Sequence, residues 1–383
     1  MRALHALLLF TRVTKTRISP RERALLFAPE VFMKQRILSL LLIVALLPIA
    51  SSLTACEKGK NKYSAYSFDY FDTATTITGY ETSKERFDEV ADAILASLGE
   101  YHRLFTIYNR YDGLENLTTV NDLVDGEHRV VKVDGRIIDM LLYAKDMYTR
   151  TNGRVNIAMG SVLSIWHNYR EAGLSEPIDA ALPPMEKLTE AAGHTNIDNL
   201  IIDEANSTVY LSDSAMRLDV GAIAKGYAVE MVARELEAKG IDGYVINVGG
   251  NVRTVGTRGD GQPWVAGVTN PDTDSETAYI AYLNLSGEAL VTSGSYQRYY
   301  IVNGKSYHHI IDPETLMPAE GYLSVSVLAN SSADGDALST ALFCMSLEEG
   351  IGLVESLEGV EAFWVLTDGS QHKSSGFDNY IKK

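Results

Sequence analysis

Three things are scarce in this chain, and each scarcity excludes a class of protein. Cysteine occurs only twice in 383 residues, at Cys56 and Cys344. Cys56 lies beside the leader and leaves Cys344 alone in the folded part, so a disulfide framework is excluded. Cys344 itself sits in the apolar run Ala341-Leu-Phe-Cys-Met345 and reads as a core residue. Basic residues are in deficit, with 34 Lys and Arg against 50 Asp and Glu. Residues 1–55 hold 8 of the basic and 2 of the acidic residues, so the remainder carries 26 against 48, a formal charge of −22. That charge argues against nucleic acid as a partner. Long apolar runs are also missing. The best candidate, residues 37–47, has eleven residues interrupted only by Ser39. A bilayer span needs about 20, so no transmembrane helix is read here. No internal repeat, coiled coil or low-complexity tract is present either.

What remains is ordinary for a soluble globular domain, with 46% hydrophobic and 22% charged residues. The length suffices for one large domain or two ordinary ones. The N-terminus stands apart. Met33-Lys-Gln-Arg36 supplies a basic stretch before the eleven apolar residues, the pattern of a signal peptide over residues 33–55. Leu53-Thr-Ala-Cys56 resembles the lipobox of bacterial lipoproteins, in which the cysteine is lipidated and becomes the mature N-terminus. A lipid on Cys56 would hold a soluble domain at a membrane surface. Residues 1–32 precede a complete signal and read as an over-extended start, with Met33 as initiator. Residues 56–66 read as a polar tether and residues 67–383 as the folded domain.

Along that domain, residues 67–80 are β-branched and aromatic and predict a first strand. Phe87, Val90, Ile94, Leu98 and Tyr101 recur at spacings of three and four, predicting an amphipathic helix over residues 85–105. Further helices are expected at 135–151, 185–192, 227–239, 333–346 and 347–357, and another growing out of residues 154–167. Strands are expected at 200–202, 208–211, 214–220, 243–253, 264–269, 277–285, 288–292, 293–302 and 324–329, with the last at 359–367. Strands outnumber helices and several are consecutive, without strict βαβ alternation. The fold class is therefore α+β, with largely antiparallel or mixed sheets and packed helices.

Four polar clusters sit at element ends. Arg217-Leu-Asp-Val-Gly-Ala-Ile-Ala-Lys-Gly-Tyr-Ala228 places Asp219, open backbone amides and Lys225 at a strand-to-helix turn, a place that suits a phosphate or simply a tight turn. Asn247-Val-Gly-Gly-Asn251 admits a ligand against the backbone, though a plain turn explains it as well. Ser293-Gly-Ser-Tyr296 is joined by His308 and His309, neighbours that point to opposite faces if extended. Asp334-Gly-Asp-Ala-Leu-Ser-Thr340 puts Asp336 and Thr340 on one helical face, a hard-oxygen pair suited to Mg²⁺, unless one of Asp334 and Asp336 caps the helix. A phosphate-bearing ligand, a divalent cation and an acid-base histidine together indicate phosphoryl or nucleotidyl chemistry.

Leu218-Asp-Val-Gly-Ala-Ile-Ala-Lys-Gly-Tyr-Ala228, Asn247-Val-Gly-Gly-Asn251, Thr292-Ser-Gly-Ser-Tyr296, His309-Ile-Ile-Asp-Pro313 and Ala337-Leu-Ser-Thr-Ala-Leu342 closely resemble the ApbE family of FAD:protein FMN transferases. Phe71-Asp-Thr73, Phe105-Thr-Ile-Tyr108 and Asn156-Ile-Ala-Met-Gly160 fit its N-terminal motifs. The likeness runs over residues 67–370 in order. It implies a T-fold-related ApbE architecture and a reaction in which a threonine or serine hydroxyl of an acceptor flavoprotein attacks the FMN phosphate of FAD, with Mg²⁺ on the pyrophosphate and AMP leaving.

By position, the resemblance makes Asp336 and Thr340 metal ligands through their side chains and Ala222 one through its backbone carbonyl. It assigns Phe71, Tyr108, Ala158, Met159, Gly160, Asp219, Lys225 and His309 to FAD, with His309 the functional histidine of the pair, either as the base or as a flavin contact only. It implies acceptors among subunits of membrane redox complexes of the sodium-pumping quinone reductase and Rnf type, or related extracytoplasmic flavoproteins. The corresponding location is the bacterial cell membrane, lipid-anchored on the extracytoplasmic face. An FAD pyrophosphatase and a non-enzymatic flavin-binding lipoprotein are the competing readings. Two departures stand out: Leu316 where the family often has glycine, and a second acid, Asp334, near the metal motif.

Overall fold

The computed structural model describes residues 59–383; the expected start, signal peptide and Cys56 lie outside the described residues. An eight-stranded sheet forms the frame: β1 (Asn61–Ser67), β2 (Thr75–Glu81), β3 (Tyr244–Val248), β4 (Asn251–Val255), β5 (Ala289–Gly294), β6 (Tyr322–Ala329), β7 (Val360–Leu366) and β8 (Gln371–Lys373). Order in space equals order in sequence, and every neighbouring pair is antiparallel. This is the antiparallel α+β class the element order predicted.

Side-chain alternation gives the sheet two apolar faces. Along β7, Ala362 and Trp364 join one core cluster while Phe363 and Val365 join another. The larger core lies under helices α1 (Lys84–Phe105), α2 (Gly135–Arg150), α5 (Ala224–Ala238) and α6 (Ser332–Phe343). The smaller lies under a hairpin, Trp264–Thr269 with Tyr279–Leu285, and the C-terminal turn Phe377–Tyr380. A third cluster joins α3 (Gly160–Ser175) and α4 (Met185–Ala192) to the arm Tyr299–Val302/Lys305–His308. Helix α7 (Leu347–Glu355) follows α6.

Several expectations are corrected. Residues 61–66, read as tether, are β1: they pair with β2, and the ring of Tyr63 packs on Phe87 at 5.6 Å. The strand expected at 67–80 is interrupted by a turn in which Phe71 and Asp72 take φ 57° and 51°. Residues 214–220 form no strand. Their extended backbone is held instead by Gly160 N–H to Arg217 O, Asp219 N–H to Ile157 O, and both amide atoms of Asn121 on Leu218, leaving one isolated bridge between Met159 and Arg217. Only Ser293 and Gly294 of the stretch 293–302 belong to the sheet, as the end of β5; Tyr299–Val302 pairs in the separate arm. Nor is residue 367 the end of the strands, since β8 follows it.

Candidate active site

A cavity of about 350 Å³ opens where α5, α6, the β3–β4 turn, the Phe71 turn and the base of the arm meet. Phe71, Tyr108, Met159, Asp219, Ala222, Lys225, His309, Asp336 and Thr340 all line it. Ala158 and Gly160 do not. Ala158 is fully buried with its N–H on Asn156 Oδ1 (2.9 Å), and Gly160 donates to Arg217 O (3.1 Å). These two hold the 157–160 and 217–219 segments together and leave Met159 to face the cavity.

One wall is the crossing of α5 and α6. Gly226 permits it: a Cβ there would lie 2.3 Å from Ser332 O and 2.4 Å from Asp336 Cβ. The close approach lets the Gly226 N–H donate to Asp336 Oδ2 at 2.8 Å, with Lys225 Nζ 3.7 Å from Oδ1. Asp336 is 4% exposed and is no helix cap. Ser331 caps α6, its side chain accepting from Asp334 N–H, so the capping alternative fails for both acids. Asp334 turns away to Tyr143 Oη (2.9 Å) and Arg150 (3.5 Å).

Asp336, Thr340 and Ala222 all line the cavity, and a carboxylate, a hydroxyl and a backbone carbonyl are hard oxygen donors of the kind that fits Mg²⁺; the Thr340 hydroxyl donates to Asp336 O at 3.3 Å and keeps its lone pairs. Asp219, further along this wall, accepts Gly221 N–H at 2.8 Å. Burial raises its pKa, and that N–H bond opposes the rise.

The wall is locked from behind. Glu230 and Arg253 are 2% and 4% exposed and bonded Oε2 to Nε at 2.9 Å; Glu230 also accepts from Ser332 N–H and Arg234 Nε, each at 2.9 Å. Burial pushes the Glu230 carboxyl up, but Arg253, Ser332 N–H and Arg234 together outweigh it and hold the pKa below the ordinary range. Nothing in the sequence pattern singled out this pair.

The opposite wall is built from loops. The Phe71 turn is held by Phe71 N–H to His102 Nδ1 (3.1 Å) and by Arg298 Nη2 to Asp72 O (3.2 Å). Arg298 ends one side of the arm's base and His309 the other, joined by His309 N–H to Arg298 O (3.1 Å). His309 Nδ1 also lies 3.2 Å from that carbonyl. A carbonyl only accepts, so Nδ1 carries the proton and Nε2 keeps its lone pair. His309 has accessible surface, but that surface opens into the cavity. The surrounding walls, then Arg298 and Lys225, push its pKa down to about 3. His308 also lines the cavity, but both its ring nitrogens are engaged, Nε2 on Ala319 O at 2.8 Å and Nδ1 accepting Ile310 N–H at 3.3 Å. Among the described residues, Arg154, Arg170 and Lys225 each meet a carboxylate, whereas Arg298 meets none.

The Asn247–Asn251 segment is both of the things it was expected to be. Gly249 and Gly250, at φ 57° and 95°, make the two-residue turn between β3 and β4, the geometry of a tight hairpin. Gly249 and Asn251 also line the cavity. Leu316 takes φ 60°, the left-handed conformation glycine suits, and is held by packing in the third cluster and by Trp166 Nε1–H to its carbonyl (2.9 Å). Arg298, His167 and Asn251 were not selected from the sequence as site residues. Only tertiary structure brings them to the cavity.

A family model described as the ApbE family matches residues 71–364. A Klebsiella pneumoniae (strain 342) protein named FAD:protein FMN transferase is 31% identical over 276 residues, 69% of this chain and 81% of that protein. The crystal structure of the ApbE protein from Thermotoga maritima superposes with TM-score 0.71 at 28% identity, covering 84% of this chain and 100% of its own. Flavin transferase ApbE from Vibrio cholerae shares the fold at TM-score 0.69 and 23% identity, over 84% and 99%. With a match across the segments that meet at this cavity, the chain belongs to the ApbE family.

Proposed function

We infer that this protein is an FAD:protein FMN transferase, moving FMN from FAD to a threonine or serine hydroxyl of an acceptor flavoprotein and releasing AMP. The observation that carries the reading is convergence: segments far apart in sequence bring Asp336, Lys225, Asp219, Arg298 and His309 to one cavity. Asp336, Thr340 and the Ala222 carbonyl would hold Mg²⁺. When bound, that ion supplies positive charge to the phosphate oxygens of FAD. Lys225 and Arg298 add cationic donors on facing walls, in a chain whose formal charge of −16 otherwise opposes an anionic substrate.

His309 takes the role of base. Its Nδ1–H is committed to Arg298 O, so Nε2 faces the incoming hydroxyl and accepts its proton. A pKa near 3 keeps the ring neutral in the apo site, and the phosphates of a bound dinucleotide raise its proton affinity. Tyr108, 59% exposed at the rim beside His167 (ring centroids 5.4 Å apart), offers a stacking surface for a ring system.

The proposed acceptors are flavin-carrying subunits of sodium-pumping quinone reductase or Rnf-type membrane complexes, or related extracytoplasmic proteins. The lipobox-like Leu53-Thr-Ala-Cys56 supports this reading, because a lipid on Cys56 would hold the enzyme on the same side of the membrane as those acceptors. Mass spectrometry of membrane-extracted protein should find a lipidated Cys56 at the N-terminus.

Incubation with FAD and Mg²⁺, with and without acceptor, tests the chemistry through AMP release and protein-bound flavin fluorescence. Transfer requires both products only with acceptor. AMP without acceptor would make the protein a pyrophosphatase, and no AMP in either arm would leave a flavin-binding lipoprotein.

A further inference from the structure

Three asparagines of the described chain are buried: Asn116, Asn121 and Asn251. Two of them are fully employed. Asn116 donates through Nδ2 to the carbonyls of Arg103 and Asn109, both at 2.9 Å, and accepts Thr119 N–H through Oδ1. Asn121 donates to Leu218 O at 2.9 Å and accepts Leu218 N–H at 2.7 Å. This is how folded proteins treat a buried amide, because an unmet donor forfeits its water without a replacement. Asn251 is the exception. It is 2% exposed, its Nδ2 is buried without a partner, and its side chain makes no hydrogen bond among the described residues. Oδ1 is not enclosed in the same way and makes no hydrogen bond either, so the amide can turn over without losing a partner and present its N–H to a ligand in the cavity.

The backbone around Asn251 leaves the side chain no easy escape. Asn251 begins β4 directly after the Gly249–Gly250 turn and is paired on both sides, with Val248 of β3 and Val291 of β5. The turn itself is anchored by Gly249 N–H to Ala74 O and Gly250 N–H to Asn247 Oδ1, both at 3.0 Å. Within the ladder, Asn251 shares a face with Arg253, the side that meets Glu230 of α5 and Ser332 N–H through the buried ion pair. That face looks toward the Asp336 wall, and Asn251 lines the cavity there.

We propose that the side-chain amide of Asn251 is a ligand-binding group, held unsatisfied in the empty protein so that it can donate to an acceptor oxygen of the bound dinucleotide. The proposal rests on the reading that this cavity takes FAD. Both a flavin carbonyl and a phosphate oxygen present the same acceptor chemistry to an N–H donor. A group of this kind trades stability for binding, and that trade gives it a signature no structural asparagine shares.

The test uses the full chain as wild type, Asn251→Ala and the isosteric Asn251→Asp, each titrated with FAD, riboflavin and ADP and each melted without ligand. The expected result is a ligand-free melting temperature of Asn251→Ala equal to or above wild type, with FAD binding weakened about tenfold or more in both variants. Weakening with riboflavin identifies a flavin carbonyl as the partner; weakening with ADP identifies a phosphate oxygen. A lowered ligand-free melting temperature in Asn251→Ala would show the amide employed within the protein and overturn the proposal, even if affinity fell with it. Unchanged FAD affinity in either folded variant overturns it as well. Wild-type protein that fails to bind FAD would instead take down the functional reading of the cavity, and the proposal with it.

Discussion

The two walls of the cavity are built on different principles. The Asp336 wall is a crossing of two helices, fixed by a backbone approach that tolerates no Cβ at position 226 and backed by a buried Glu230–Arg253 pair. The His309 wall is a turn and the base of a two-stranded arm, tied by single hydrogen bonds through Arg298 and His102. The first wall is rigid because core packing determines it. The second is fixed locally, with two consecutive non-glycine residues, Phe71 and Asp72, held in the left-handed region. The proposed metal ligands sit on the packed wall, and His309, the proposed base, sits on the other.

Substitutions on each wall should separate these properties. Asp336→Asn keeps an acceptor for Gly226 N–H but removes the charge. AMP release should fall below detection with melting close to wild type, and wild-type rates in this variant would refute the metal assignment. His309→Gln should slow transfer by about 10²–10⁴-fold, the usual range for general acid-base groups, with FAD binding retained. Rates within a factor of a few would make His309 a contact only.

Behind the rigid wall, Glu230→Ala strands Arg253 in the core and should cost about 3–5 kcal/mol in urea unfolding. A loss below about 1 kcal/mol would mean that the wall does not depend on the pair. On the arm's side, Leu316→Gly relieves left-handed strain of about 1–2 kcal/mol but removes a buried side chain worth about 2–5 kcal/mol. The net should be destabilising by about 1–3 kcal/mol; a stabilised variant would show strain outweighing packing.

The smallest effect is one of pH. The folded protein holds His309 neutral to about pH 3, while an unfolded histidine protonates near 6.5. The unfolded state therefore takes the proton first as pH falls. The contribution of His309 to stability is complete above about pH 6.5 and declines between there and about pH 3. His309→Gln should accordingly lose less stability than wild type between pH 7 and pH 4.5 in thermal melts. An equal loss in both would mean that His309 is freely solvated.

The packed wall was largely legible before the structure, because its determinants are local. Asp219 through Gly226 is one contiguous segment, Asp336 and Thr340 are one helical turn apart, and the small residues needed for close approach are visible in the sequence. Of the other wall the resemblance supplied Phe71 and His309, but not the residue that ties them together. Arg298 matters through a carbonyl and a guanidinium that reach His309 and Asp72, and no periodicity records such a reach. The strand expected at residues 214–220 failed for the same reason: its backbone partners are Asn121 and residues 157–160, set by tertiary docking.

By itself the sequence determined the antiparallel α+β class, the amphipathic helices and the family resemblance, because hydrophobic period and turn chemistry act over a few residues. Tertiary structure decided what faces what. It placed Asp336 against Gly226 rather than at a helix cap, engaged both ring nitrogens of His308, turned Asp334 away, withdrew Ala158 and Gly160 from the cavity and left Asn251 Nδ2 without a partner. Each of these depends on which backbone groups are already satisfied, and that accounting closes only when distant segments pack together.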